Sequence, residues 1–284
     1  MTLKSWSILS VIGTLAINAT QPAMAQTASA SYLWLTEYSQ SNALENRIAP
    51  PDGFYRKTCA EDTFCKWLRQ VPLKPSGSPV KYFNGGIKHH AQHYAVLDLD
   101  TGERDLQQCA DAVMRLKAEY HYAQADYSKI HFNFTSGHKV SFDDWRHGRK
   151  PVVKGNKVSF TARKSAADNS YSNFRKYMTI IFSYAGSLSL EKELRTVAVK
   201  DIRPGDVFIV GGSPGHAVMV MDVVQNDAGQ KMFLLAQSYM PAQDMHILQN
   251  PFHAGEGPWY SAEIEDVLYT PEWHFKPSDL RRFR

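Results

Sequence analysis

A cysteine, a histidine and a glutamine in this sequence are of the types that together carry out thiol-based acyl transfer. They are Cys109, His216 and Gln237. In that chemistry the thiol attacks a carbonyl carbon, the imidazole takes and returns a proton, and a third polar group orients the imidazole. The elements that carry these residues must therefore bring them together in space.

His216 and Gln237 fall on two apolar segments with the pattern of a β-hairpin. Asp227 and Ala228 have turn composition and are taken as the two loop residues. This register places His216 opposite Tyr239, and Gln237 becomes a diagonal neighbour of His216 on the same sheet face. The amide oxygen of Gln237 could then accept an imidazole N–H, unless the register shifts by one residue. The alternative is a core hairpin with a surface histidine beside a flexible loop.

Cys109 lies in the segment with the strongest helical pattern, predicted to cover residues 105–124. Asp105 and Gln108 have capping-box spacing. Apolar positions recur at helical spacing and comprise Leu106, Cys109, Val113, Leu116 and Tyr120. Cys109 would lie one turn inside this helix, on its packed face. It is either a small apolar core residue or a nucleophile whose thiolate the helix dipole stabilises, alkylating well below the free-thiol pKa of about 8.5.

The other two cysteines, Cys59 and Cys65, are separated by five residues. Residues 1–25 have the charged start, apolar core and small-residue cleavage site of a secretory signal peptide. Export to an oxidising compartment, the periplasm or the exterior, would favour a disulfide between Cys59 and Cys65. Cys109 would then be the odd thiol.

Charge and hydropathy exclude several classes of partner. Lysine and arginine total 32 and aspartate and glutamate total 28, a net charge of +4. This charge is too small to predict nucleic-acid binding. After residue 25 no stretch approaches the roughly 20 apolar residues that span a bilayer, so no stable membrane insertion is predicted. The oligomeric state stays open.

A cluster of three histidines, His89, His90 and His93, could in principle bind a divalent metal. His89 and His93 have helical spacing, but the surrounding residues favour strand or loop, and no defined ligand set accompanies them. We therefore predict that neither a metal nor another cofactor is required. Trp259, in a glycine-flanked aromatic pair, could stack on a ligand or cover the edge of the core.

The order of elements predicts an α+β fold in which an antiparallel sheet packs on the helix that carries Cys109. Residues 26–46 are polar and are predicted to be a loose lead-in. Residues 47–284 show neither an internal repeat nor a linker, so they are predicted to form a single domain with a substantial core.

Six stretches of the sequence match one family pattern. They are residues 67–69 (WLR), 106–112 (LQQCADA), 134–137 (FTSG), 205–209 (GDVFI), 214–218 (PGHAV) and 235–243 (LAQSYMPAQ). In these stretches the chain resembles an uncharacterised bacterial family known as domain of unknown function 4846. The resemblance covers most of the chain after residue 25, and the family name implies no activity.

A second resemblance concerns chemistry. A helix-borne cysteine, then Gly205-Asp206 before an apolar strand, then Gly215-His216 at the start of the next strand, is similar to the papain-like cell-wall hydrolases of the NlpC and CHAP kinds. That resemblance implies a papain-like fold with Cys109 as nucleophile, His216 as base and Gln237 as the orienting residue.

The implied activity is hydrolysis of an amide bond by an exported thiol hydrolase, with peptidoglycan peptide as the substrate class. Gln107 or Gln108 could assist the backbone amide of Cys109 as an oxyanion donor. Ser238 and Trp259 are further candidates for substrate binding. One alternative is a non-catalytic envelope-binding protein on the same scaffold. A more distant one is a metal-dependent hydrolase that uses the histidine cluster.

Overall fold

The computed structural model describes Met1 and residues 32–60, 63–155, 157–252 and 257–284. The chain has mixed α and β structure with antiparallel strand pairing, which confirms the predicted α+β class. The predicted signal peptide, residues 1–25, lies outside the described residues apart from Met1. Within the described ranges, the helices are all too short or too polar to cross a membrane.

An eight-stranded antiparallel sheet forms the centre of the molecule. The strands of the described residues are β1 (His93–Val96), β2 (His131–Asn133), β3 (Lys139–Ser141), β4 (Pro151–Lys154), β5 (Lys157–Phe160), β6 (Arg195–Thr196), β7 (Val207–Val210), β8 (His216–Gln225), β9 (Lys231–Gln237), β10 (His246–Leu248), β11 (Tyr260–Ser261), β12 (Leu268–Tyr269), β13 (His274–Phe275) and β14 (Leu280–Arg282). The sheet has the order β1–β10–β9–β8–β7–β14–β6, and β11 also pairs with β9. The remaining strands form two-stranded pairs.

The hairpin of β8 and β9 is largely buried. Its turn closes between Asn226 and Gln230, where the N–H of Asn226 donates to the carbonyl of Gln230 at 3.1 Å. The pairing register shifts between Val220 and Asp222. Met221 is the extra residue of this β-bulge, so Met221 and Asp222 face the same side of the sheet.

The two faces of the sheet carry two hydrophobic layers. On one face, Ala217 and Met219 of β8 pack in a large cluster with the helices. On the other face, Val218 and Val220 pack in a smaller cluster with Phe275 and its neighbours. This alternation follows from the two-residue period of a strand, and it determines which side chains of β8 can reach each layer.

The helices pack on the first face and at its margins. They are α1 (Leu44–Arg47), α2 (Phe64–Arg69), α3 (Cys109–Ala123), α4 (Phe142–Arg146), α5 (Tyr171–Tyr184) and α6 (Ser187–Glu193). The longest, α3, lies against β8 and buries Ala112, Val113 and Leu116. These residues recur at helical spacing, so one face of α3 supplies the contact.

Residues 32–46 belong to the folded domain, so the prediction of a loose lead-in over residues 26–46 is wrong for this part. Tyr32 is buried, and its hydroxyl donates to the carbonyl of Trp67 at 2.8 Å. Its ring lies 5.1 Å from the rings of Tyr38 and Trp67. Leu44 is also buried. The aromatic side chains of this polar stretch pack on α2, while residues 26–31 lie outside the described residues.

A buried carboxylate ties α2 to the sheet. Asp222 is fully buried and accepts from Arg56 Nε and Arg69 Nε, each at 2.6 Å. Cys59 and Cys65 form a disulfide bond with their Cα atoms 5.9 Å apart, which links α2 to the segment before it. The ion pair of Arg69 with Asp222 holds α2 against the end of β8 that is remote from His216.

Candidate active site

Cys109 is the first residue of α3. The predicted start at residue 105 is wrong, because Asp105 Oδ1 accepts the backbone N–H of Ala242 at 2.7 Å and is drawn to the sheet. The backbone N–H of Gln108 donates instead to Asp111 Oδ2 at 3.1 Å, which makes Gln108 the N-cap. The thiol therefore lies at the helix N-terminus, where the first backbone N–H groups have no partner within the helix.

The residue before the cap is held from three directions. The carbonyl of Gln107 accepts the hydroxyl of Ser238 at 3.0 Å. The side-chain oxygen of Gln107 accepts from Arg115 Nη1 at 2.9 Å, and its Nε2 donates to the carbonyl of Asp100 at 3.1 Å. Gln107 and Ser238, predicted as oxyanion or substrate-binding residues, are both buried. Their contacts dock the start of α3 on the end of β9.

The turn before His216 has room only for glycine at residue 215. A Cβ atom on Gly215 would lie 2.6 Å from the carbonyl oxygen of Gly212, 2.6 Å from Ser187 Oγ and 2.8 Å from the carbonyl oxygen of Val210. Such distances are shorter than any ordinary contact, so a larger residue would displace the loop. The glycine lets β8 begin at His216 directly beside the start of α6.

Cys109 and His216 line one cavity of about 610 Å³. Gln108, a predicted oxyanion donor, also lines it, with Nε2 donating to Asp105 Oδ1 at 3.0 Å. The apolar part of the wall includes Leu106, Phe182, Leu188, Met240 and Trp273. Of the seven residues predicted for catalysis and substrate contact, three therefore face this cavity.

Gln237 lies behind the cavity, and Trp259 lies elsewhere. Gln237 is buried and contacts the ring of His216. Trp259 is buried in the core, where its Nε1 donates to the carbonyl of Ala49 at 2.9 Å. Because its N–H and its ring are both occupied there, Trp259 has a structural role.

Cys109 is only partly exposed where it lines the cavity. Burial, and after it the nearby carboxylate of Asp111, raises the pKa of the thiol to about 11. The backbone N–H groups of Ala110, Ala217 and Cys109 itself point at the sulfur and lower the pKa in part. The expected alkylation below the free-thiol pKa is therefore not supported, because burial outweighs the helix N-terminus. At neutral pH the group is a thiol.

His216 is also buried and neutral. Its Nε2 lies 2.7 Å from Gln237 Oε1. Its ring lies 4.9 Å from the ring of Tyr239, 5.5 Å from that of Trp273 and 6.0 Å from that of Phe275. Burial in this aromatic surrounding lowers the pKa of His216 to about 4, and the bond to Gln237 opposes that shift. The imidazole at neutral pH is therefore free to accept a proton.

The thiol and the imidazole approach the cavity from different sides of the end of β8. His216 stacks on Phe275, in the layer away from α3. Cys109 lies on α3, and its sulfur accepts a hydrogen bond from the backbone N–H of Ala217, the residue that follows His216. The strand β9 ends at Gln237. Both side chains line the cavity at this edge of the sheet, beyond the end of β9.

The histidine cluster does not form a metal site in the described part of the chain. Groups of three or more His, Cys, Asp or Glu side chains that could hold a metal ion are absent there. His93 bonds instead to the carbonyls of Ala91 and Ser78, at 3.1 and 3.0 Å. Both of its ring nitrogens have backbone neighbours, so His93 fixes a loop.

A family model described as Domain of unknown function (4846) matches residues 44–282. The chain belongs to this family. No curated protein and no solved structure matches the chain. The matched range contains the whole sheet, α3 and every residue that lines the cavity.

Tyr239, predicted opposite His216, packs on its ring. Three other residues around the site were not predicted from the sequence: Asp111 borders the thiol, Trp273 covers His216, and Glu272 accepts from Gln237. Asp111 could have been found, because it stands three residues after Gln108 as a capping box requires. No sequence pattern places Glu272 and Trp273 at the site, because they lie in the connection between β12 and β13, far from the other site residues in the chain.

Proposed function

We propose that this protein is an exported, papain-like thiol hydrolase that cleaves amide bonds in cell-wall peptides. The observation that carries the proposal is the 2.7 Å contact between His216 Nε2 and Gln237 Oε1, beside a cavity that His216 shares with Cys109. A neutral histidine oriented by a carboxamide, in one cavity with a thiol at a helix N-terminus, supplies the residue types that thiol acyl transfer needs.

In the first step, Cys109 Sγ bonds to the carbonyl carbon of the scissile amide and its proton passes to His216. The oxyanion that forms faces the backbone N–H groups at the start of α3. The C–N bond then breaks, and the departing nitrogen takes the proton from His216. An acyl-thioester on Cys109 remains, and water, deprotonated by His216, releases the acid and restores the thiol.

Both reacting groups are neutral in the resting state, so His216 acts as a general base during the attack. The pKa of about 4 for His216 and of about 11 for Cys109 favour a neutral imidazole and a neutral thiol over a thiolate–imidazolium pair in the unliganded cavity. When the proton is transferred, the negative thiolate and the positive imidazolium form together and attract one another. The thiolate also accepts hydrogen bonds from the backbone N–H groups of Ala110 and Ala217.

The substrate class and the location rest on three supports. The signal-peptide pattern in residues 1–25 favours export to the periplasm or the exterior. The cavity volume of about 610 Å³ and its mixed apolar and polar wall suit a short peptide. The similarity of the Cys109, Gly205-Asp206 and Gly215-His216 pattern to cell-wall hydrolases adds peptidoglycan peptide as the specific class.

A second candidate function is a non-catalytic envelope-binding protein on the same scaffold. The raised pKa of Cys109 favours it, because a partly buried, protonated thiol packed against the core also suits a structural role. In that case the cavity binds a wall peptide, and the contact between His216 and Gln237 only stabilises the hairpin.

Mass spectrometry of soluble peptidoglycan fragments incubated with residues 26–284 separates the two. Hydrolysis adds one water to the substrate and yields two products. We expect products with the natural sequence and a loss of about 10³-fold or more in Cys109→Ala and in His216→Ala. His89→Ala is the matched control, because His89 is exposed and outside the cavity.

Binding of the same fragments is measured in parallel by calorimetry. Equal binding by the natural chain and by Cys109→Ala, with no product from either, supports the binding protein and overturns the hydrolase. Product formation that survives Cys109→Ala also overturns the assigned nucleophile.

A further inference from the structure

We propose that Glu272, held by Lys88, is a positioning residue that fixes the tautomer of His216 through Gln237. The proposal rests on the hydrolase function above, in which His216 is the base. Glu272 stands in a connection between β12 and β13, and Lys88 lies in the loop before β1. Neither residue lines the cavity beside Cys109. Their effect on the imidazole would pass through one buried carboxamide.

The carboxamide of Gln237 bonds on both sides. Its Nε2 donates to the carboxylate of Glu272, and its Oε1 faces His216 Nε2 at 2.7 Å. A carboxylate can only accept hydrogen bonds. The amide nitrogen of Gln237 must therefore face Glu272, and the amide oxygen must face His216. Without that carboxylate the two ends of the amide would be nearly equivalent in shape.

The orientation of the amide decides the position of the proton on the imidazole. An amide oxygen can only accept, so His216 Nε2 must carry the hydrogen. Nδ1 is then the nitrogen with the free lone pair, available to take the proton of the thiol. Gln237 and His216 are 0% and 1% exposed, so water is not at hand to replace either bond.

Lys88 fixes the carboxylate at the outer end of this chain. Its Nζ forms an ion pair with Glu272, and both groups are partly shielded from solvent. The same Nζ lies 5.3 Å from the ring centre of Tyr239, whose ring packs on His216. Lys88 thus fixes the position of the Glu272 carboxylate and also lies over the ring of Tyr239 that covers the imidazole.

The tautomer can be observed directly, without any turnover. In protein labelled with ¹⁵N-histidine, long-range ¹H–¹⁵N correlation spectra distinguish a protonated ring nitrogen from a bare one, and His216→Asn assigns the signal. We expect natural His216 to show protonated Nε2 and bare Nδ1 at neutral pH. In Glu272→Gln the acceptor-only constraint is lost, because a carboxamide at 272 can accept or donate, and a mixture of tautomers should appear.

The chain offers a matched control in Glu263→Gln. Glu263 Oε1 accepts from Gln230 Nε2 at 3.0 Å, the same kind of pair at an exposed place remote from the site. This variant should keep the single tautomer. Glu272→Asp should keep it too, because aspartate is also an acceptor only. If hydrolysis is found, kcat of Glu272→Gln should fall by about tenfold with KM little changed.

A single Nε2–H tautomer that persists in Glu272→Gln overturns the proposal, as does an Nδ1–H tautomer in the natural protein. The second result needs no variant, so it decides the matter even if Glu272→Gln fails to fold. A predicted tautomer response without any hydrolysis supports the positioning role of Glu272 and counts against the hydrolase alone.

Discussion

His216 Nε2 and Gln237 Oε1 lie 2.7 Å apart on neighbouring strands, and both side chains are almost wholly buried. Water cannot compete for either group there, so the bond restricts rotation of the imidazole as well as its tautomer. The ring keeps one edge toward Gln237 and leaves the other available to the cavity that it shares with Cys109.

Replacing Gln237 by alanine should weaken hydrolysis without abolishing it. Orientation is only part of the work of the base, and a loss of about 10- to 100-fold is expected. The free energy of unfolding should fall by about 1–3 kcal/mol, because His216 and Glu272 lose a buried partner. Kinetics on wall peptides and urea unfolding measure the two effects. Gln230→Ala, at an exposed turn, should change neither; a total loss of activity in Gln237→Ala would contradict this division of roles.

Alkylation of Cys109 should be slow at neutral pH and should speed up toward high pH. Burial and Asp111 raise the thiol pKa to about 11, so little thiolate is present at pH 7. Burial raises the pKa of Asp111 as well, so its carboxyl acquires its charge only as the pH rises. Asp111→Asn removes that charge, and the midpoint of alkylation should move to lower pH. Mass spectrometry after timed exposure to iodoacetamide follows the reaction. Asp266→Asn, an exposed change, should leave the midpoint in place; rapid labelling of the natural chain at pH 7 would refute the protonated state.

Acid should destabilise the fold through buried histidines, of which His216 and His246 are the most enclosed. Burial lowers the pKa of His216 to about 4 and that of His246 to about 3, whereas an unfolded histidine has a pKa of about 6.5. Between these values the unfolded chain binds more protons. The free energy of unfolding is therefore unaffected by these two histidines above about pH 6.5. As the pH falls from 6.5 toward 4, it decreases by about 1.4 kcal/mol per pH unit for each histidine.

Urea unfolding at several pH values between 4 and 7 tests this dependence. In His246→Gln the free energy of unfolding should fall less steeply with decreasing pH than in the natural chain. The reason is that the imidazole of His246, which must stay neutral to be buried, has been removed. His90→Gln, at an exposed position, should keep the natural slope. Equal slopes in all three proteins would show that His246 does not contribute.

Asp222→Asn should strongly destabilise the fold. The two oxygens of the Asp222 carboxylate accept hydrogen bonds from Arg56 and Arg69. In Asp222→Asn one of these oxygens is replaced by an NH₂ group, which can only donate and therefore faces the N–H groups of a guanidinium without an acceptor. Breaking a buried ion pair in this way costs about 3–5 kcal/mol. Urea unfolding against Asp266→Asn, an exposed control, measures it. A loss below about 1 kcal/mol would mean that water or a shift of Arg56 satisfies both arginines.

Gly215→Ala should displace the start of β8. The added carbon would meet two backbone carbonyl oxygens, which cannot move aside as a flexible side chain would. We expect a loss of about 1–3 kcal/mol in the free energy of unfolding, and reduced activity because His216 follows directly. Gly186→Ala is the matched control, since a Cβ there meets nothing within 4 Å. Equal stability of the two variants would contradict the tight approach.

His216 and Gln237 are neighbours, as the sequence predicted, although the hairpin differs from the predicted one in two ways. The two differences shift the register by one residue in opposite directions, so they cancel at His216. The turn closes between Asn226 and Gln230, one residue longer than the two-residue loop predicted. The bulge at Met221 then shifts the ladder back by one. Local turn chemistry indicates a hairpin, but the bulge depends on packing against α2 and α3, which no local pattern contains.

The start of α3 was misplaced for a similar reason. Asp105 has the right type and spacing for a helix cap, yet its carboxylate accepts the backbone N–H of Ala242, which is far away in the sequence. Glu272 was missed because nothing near Gln237 in the sequence points to it. The family resemblance and the α+β class were accessible, since they depend on motifs and periodicity. Contacts between remote segments were not.

The bulge at Met221 also has a consequence for comparing members of this family. On β8, His216 must face the outer layer, whereas Asp222 must face α2 to meet Arg69. An interval of six residues would put both on one face of a regular strand, and the extra residue corrects this. In a relative whose strand runs without the bulge, the carboxylate should stand five positions after the histidine. An alignment gap between the two would then mark a change in strand geometry and not the loss of either residue.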